Sequence, residues 1–174
     1  MGVHAGVVKK IGGFGTLRHG QDIEFTHRIR SQGRTVRVGD AVVFHKRRTS
    51  LRRFFKQVYN WGVARINLYK IDKGMLEPIH FFPFLATIAT MIFCIFLCIR
   101  PGILWPLLPA VFGVLLLMAL HGVLKYRDLR VFVFIPLVVP IQVLGYGLGF
   151  GSALIRRVIF GGGEKTGFVK HYYQ

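Results

Sequence analysis

Acidic residues are scarce in this sequence: seven Asp and Glu stand against 24 Lys and Arg in 174 residues, for a formal net charge of +17. None of the seven forms an Asp-x-Asp pair. Cysteine is nearly absent as well, and the two present, Cys94 and Cys98, sit four residues apart inside an apolar run. They read as small apolar side chains rather than a redox or metal pair, and a disulfide scaffold is excluded. Charged residues of either sign make up only 18% of the chain against 52% hydrophobic, which excludes disorder. A chain this basic and this apolar must keep the two kinds of residue apart. Residues 1–78 carry a net charge of +11 and residues 79–174 carry +6, most of the latter flanking long uncharged runs.

Those runs decide the class. Residues 79–99 and 102–124 are uncharged over 21 and 23 residues, each enough to cross a hydrocarbon core of roughly 30 Å at about 1.5 Å per residue. A third run, 131–155, is interrupted by Pro136 and Pro140, and Gly145, Gly147, Gly149 and Gly151 recur at every second position. It reads either as a kinked span or as a re-entrant or interfacial element, so two or three spans are expected. The 125–130 connection carries three basic residues against one acidic. By the positive-inside rule the N-terminal part and this connection are cytoplasmic, with the Arg100-Pro101 turn outside. Three full crossings would then place Arg156, Arg157, Lys165 and Lys170 on the outer side, against the rule. The basic residues beside the spans are explained by topology, so no nucleic-acid partner is expected. The Gly161-Gly162-Gly163 cluster lacks Walker spacing and reads as a hinge.

In the N-terminal 78 residues, Gly12-Gly13-Phe14-Gly15 marks a turn. A helix is expected from about Asp22 to Gln32, with Asp22 suited to its positive end, Glu24 and Arg28 paired at i+4, and Gly33 as the stop. Short strands are expected at residues 35–38 and 41–44, joined by a turn at Gly39-Asp40. From Ser50 an amphipathic helix begins. Leu51, Phe54, Phe55, Val58, Trp61 and Gly62 share one stripe, and Arg52, Arg53, Lys56, Gln57 and Asn60 lie on the other side. Placed just before the spans, it suits the headgroup region, with membrane lipids as its partner.

The run from Gly20 to Arg30 (GQDIEFTHRIR), followed by Gly33, Val43-Phe44-His45, Arg48-Thr49-Ser50-Leu51 and Phe55 to Gly62 (FKQVYNWG), resembles the second half of a membrane-bound family 2 glycosyltransferase. The subgroup it is most similar to is the bacterial polysaccharide-assembly type, with a few C-terminal spans. The resemblance implies an α+β fold: a partial GT-A-like segment followed by two or three transmembrane helices. Residues 1–49 would be the acceptor-side remnant of the catalytic domain, 50–78 the interfacial helix and linker, 79–155 the membrane region and 156–174 a basic tail.

It also implies inverting transfer from a nucleotide-sugar to a lipid-linked or polysaccharide acceptor at a bacterial inner membrane. Asp22 matches the family's base, although Gln21 replaces the usual Glu before it. Gly12, Gly13 and Phe14 match the acceptor-side turn. Gln57 and Trp61 stand where processive relatives carry Gln-x-x-Arg-Trp, here without the Arg, and would be acceptor contacts. Arg47, Arg48, Arg52 and Arg53 would meet the diphosphate or anionic headgroups, and His45 a metal or the diphosphate. A divalent cation, magnesium or manganese, is expected for the complete enzyme. The nucleotide-binding half and its Asp-x-Asp motif do not precede Gly12. The chain is therefore expected to be inactive alone, as a fragment or with a second chain supplying the donor half. The other reading is a non-catalytic cationic membrane anchor or assembly subunit.

Overall fold

The structure, a computed structural model, describes residues 2–34, 36, 40, 42, 44 and 50–168. Among them the regular structure is helical, with no strand. The expected α+β, GT-A-like segment is therefore corrected to an all-helical one. Most positions of the two expected strands lie outside the described residues. Those that are described, Val36, Val42 and Phe44, are 70–96% exposed. Apolar strand positions with no surface to pack against gain nothing from pairing, and an isolated two-stranded hairpin is marginal in water.

Helix α1 spans Ala5–Ile11 and α2 spans Gln21–Arg30. Gly20 precedes α2 with φ of 86°, a left-handed conformation that glycine adopts without strain. The same residue rests on the next helix, where a Cβ would stand 3.3 Å from Ala64 and Leu68. Helix α3 runs Leu51–Ile71, matching the expected amphipathic segment. Asp72 ends it and joins it back to α2: its carboxylate accepts from the Gly74 N–H at 2.8 Å and pairs with His27 at 2.9 Å. The Gly74 N–H first, and His27 second, hold the Asp72 carboxyl below its ordinary range.

Three stretches are helices long and apolar enough to cross a membrane: Pro78–Ile99, Leu107–Tyr126 and Arg130–Ile159. Within them lie α4 (Phe82–Ile99), α6 (Leu107–Tyr126) and α7 (Arg130–Leu154), and the short α5 (Pro101–Leu104) joins α4 to α6. Neither Pro136 nor Pro140 breaks α7. In an apolar helix with packed neighbours, the freed carbonyls are re-satisfied locally and the helix continues.

The glycines at every second position of α7 are two interleaved i, i+4 pairs on different faces. Gly145 and Gly149 meet Phe55 and Tyr59 of α3, and Gly147 and Gly151 meet Thr87, Pro83 and Phe84 of α4. Gly62 answers from α3: a Cβ there would collide with the Tyr146 carbonyl and come within 2.6 Å of the Phe150 nitrogen. Small residues let helix backbones approach this closely. Helix α7 thus covers the face of α3 that carries Phe55, Tyr59 and Gly62, while Leu51 and Trp61 of the expected stripe stay exposed, and Val63, Ile66, Phe150 and Ala153 form the main buried cluster. A second cluster of Leu17, Leu68 and Met75, with Ile23 against it, holds α2 on the far half of α3.

Candidate functional site

The segment before α2 is held by side chains of α2 itself. Arg28 pairs with Glu24 as expected, and it also donates to the carbonyls of Ile11 at 2.6 Å and Gly13 at 2.8 Å. Gln21 donates to the Gly15 carbonyl at 3.3 Å, and the Phe14 ring packs on Phe25 with centroids 4.6 Å apart. The Gly12-Gly13-Phe14 turn is therefore fixed to the helix that carries Asp22. Asp22 is the second residue of α2, past the Gly20 cap, and its side chain is exposed. It does not serve as the helix N-cap.

Three stretches far apart in sequence converge on one cavity of about 590 Å³. Phe14 and residues 18–23, including Asp22, form one wall; Gln57, Asn60, Trp61, Ala64 and Arg65 of α3 form another; Tyr146 of α7 closes it. Of the residues expected from sequence, Asp22, Phe14, Gln57 and Trp61 are brought together here. Gly12 and Gly13 do not line the cavity and act by carrying Phe14. Arg52 and Arg53 are exposed in the first turn of α3, also off the lining. His45, Arg47 and Arg48 lie outside the described residues.

Sequence reasoning missed Arg18, His19, Arg65 and Tyr146. Arg65 had a signal, because it follows Trp61 by four residues and Gln57 by eight on one helical face. Tyr146 had none, buried as it is in an apolar run more than eighty residues away. Its hydroxyl lies within reach of the Arg65 guanidinium, and the Nε2 of His19 is buried without a partner. Buried polar atoms left unpaired at a cavity wall are the kind a polar ligand or water satisfies.

Asp22 is the one carboxylate lining the cavity; the two guanidiniums and the imidazole supply no oxygen, and the other side-chain oxygens there are the amides of Gln21, Gln57 and Asn60 and the Tyr146 hydroxyl. Among the described residues no three His, Cys, Asp or Glu side chains form a metal cluster.

Burial first, and Arg18 second, hold His19 below the ordinary histidine range, with Glu164 pulling the other way. A folded value below the unfolded one means that its contribution to stability is full above about pH 6.5 and lost as pH falls through the folded value. Thermal stability should drop on acidification below about 6.5, and His19→Gln should remove that part of the slope. An unchanged slope would contradict a desolvated His19.

The tail packs along α3 beside this cavity, holding on to Arg18 and Asn60 of its wall. The Glu164 carboxylate accepts from the Arg18 backbone N–H at 2.9 Å. Asn67, fully buried, donates to the Lys165 carbonyl at 2.8 Å and accepts from Arg157 at 2.9 Å. Two turns earlier, Asn60 repeats the arrangement with the carbonyl and N–H of Phe168, at 2.8 and 2.7 Å. The Phe168 ring packs on Tyr59 and Phe55, under the Lys56 ammonium. Asn67→Leu would leave Arg157 and the Lys165 carbonyl without these partners. We expect a loss of about 1–3 kcal/mol and faster proteolysis within residues 161–168. Unaltered tail protection would show that the asparagine does not hold it.

A second cavity, of about 430 Å³, adjoins the first and shares Trp61 and Tyr146 with it. It lies among α3, α4, α6 and α7 and is lined mostly by apolar side chains such as Val58, Met118, Val139 and Val143. No family model matches the chain, and no curated protein or solved structure matches it.

Proposed function

We propose that this chain is the acceptor-side and membrane part of an inverting glycosyltransferase, acting on a nucleotide-sugar bound by a donor half. The observation that carries the reading is the convergence of Asp22, Phe14, Gln57 and Trp61 in one cavity, residues singled out by the family resemblance before any geometry. In this reading an acceptor hydroxyl sits between Trp61 and Asp22. The Asp22 carboxylate takes its proton as the oxygen attacks the anomeric carbon, and the diphosphate leaves from the opposite face. Arg18 and Arg65 supply positive charge to the phosphates in a partly enclosed site, where it counts for more than in water. The adjoining apolar cavity favours a lipid-linked acceptor over a free polysaccharide, because a hydrocarbon chain has a place to go beside the reacting group. The basic N-terminal part faces the cytoplasm of a bacterial inner membrane in this reading.

The test is sugar transfer in vesicles. The chain is joined in frame to a GT-A nucleotide-sugar-binding half and supplied with labelled nucleotide-sugar and a polyprenyl phosphate. Label in the lipid extract that depends on Asp22 supports the proposal. Intact insertion with no dependence on Asp22 favours the cationic anchor instead.

A further inference from the structure

The charged regions at the two ends of the described chain touch. The Arg18 N–H donates to Glu164, Arg157 reaches Asn67, and Lys165 and Phe168 pair with Asn67 and Asn60 on α3. Groups in hydrogen-bond contact cannot stand on opposite faces of a hydrocarbon core roughly 30 Å thick. Three complete crossings would separate the segment before α4 from the segment after α7 by that thickness. One of the three long apolar helices therefore does not cross.

The contacts indicate which one. Helix α4 meets α7 near its own start, where Thr87 donates to the Val143 carbonyl at 3.1 Å and Phe84 lies against Gly151. Thr87 is the one buried residue described in α4. Helix α6 meets α7 near its own end, where Gly122 lies against Val131 and Ile135. Its buried residues are Ala119 and Gly122. The rest of α4 and α6, toward the 100–106 turn that joins them, holds no buried residue among those described. Helix α7 rests its first half on the end of α6 and its second half on the start of α4, both away from that turn.

We propose that α7 lies in the membrane interface, bridging the start of α4 and the end of α6, and does not cross. Helix α3 covers the second half of α7, from Gly145 to Ala153. The exposed Phe132, Phe134, Leu137 and Leu148 of α7 then meet lipid acyl chains, continuous with the exposed apolar surface of α4 and α6. Arg130 at one end of α7 and Arg156 and Arg157 at the other fall on the same side as the basic N-terminal part, so the tail no longer opposes the positive-inside rule. The proposal rests on the membrane-spanning lengths of α4 and α6 and not on sugar transfer.

Single cysteines test it in the full chain carrying Cys94→Ala and Cys98→Ala, probed with a membrane-impermeant maleimide on sealed vesicles before and after lysis. Ser31→Cys and Thr166→Cys should react from one face and Gly102→Cys from the other. Reaction of Thr166→Cys from the face opposite Ser31→Cys, or of Gly102→Cys from the same face, overturns the proposal. A spin label on Gln142→Cys, at the middle of α7 and therefore at the bilayer centre only if the helix crosses, reads the same question by depth, whether or not the maleimide reaches the other sites. Residence at the headgroups supports an interfacial α7, and residence at the bilayer centre refutes it.

Discussion

Asp22→Asn is expected to lower sugar transfer by about 10²–10⁴-fold in the complete, donor-joined enzyme while leaving membrane insertion unchanged. The substitution keeps the shape of the side chain and removes its basicity, so a proton acceptor is lost and little else. Its effect on the fold should be small. Asp22 follows the Gly20 cap and lies in the first turn of α2, where a carboxylate is worth about 0.3–1 kcal/mol against the helix dipole. Asp22→Glu retains the charge and moves it by about one methylene, so it should recover part of the rate. Transfer undiminished in Asp22→Asn would remove the base assigned here, and with it the catalytic reading of the cavity.

The second large effect is structural. Gly62→Ala should destabilise the α3 and α7 pair by about 2 kcal/mol or more, because the added methyl group meets backbone atoms of Tyr146 and Phe150 that cannot rotate away. Gly113→Ala is its control. Nothing lies within 4 Å of a Cβ at Gly113, in the middle of α6, so only helix propensity changes and up to about 1 kcal/mol is gained. One chemical change at two helical glycines is thus expected to carry opposite signs. Thermal unfolding in detergent reads both, and a Gly62→Ala protein as stable as Gly113→Ala would mean that α3 and α7 are not in backbone contact.

The three apolar helices, α2 and α3 were legible in the sequence to within a few residues, because uncharged length and 3.6-residue periodicity are local properties. The glycines of α7 were visible as punctuation. Their sorting onto two faces depends on which helices pack there, and that is not a local property. The expected strands are absent at their described positions for a related reason: Val36, Val42 and Phe44 have the composition of strands and no surface to cover. The resemblance singles out Asp22, Phe14, Gln57 and Trp61, which all line the cavity, whereas Tyr146 is placed there only in three dimensions. Asn60 and Asn67 read as ordinary polar positions of an amphipathic helix, since a side-chain amide seven residues from another gives no sign of the backbone it will hold.

Those two asparagines also set an order of events. Their partners Lys165 and Phe168 lie 98 and 108 residues away along the chain, and Glu164 lies 146 residues beyond Arg18. Contacts of such sequence separation carry a large loop-closure entropy and form only once the intervening helices are in place. Synthesis delivers residues 164–168 after all the apolar segments, so Asn67 stays unpaired until α7 has packed on α3, α4 and α6. Closure of the tail onto α3 would then be a late kinetic step, and a chain whose helices had inserted in the wrong order would be left with an open, protease-sensitive tail.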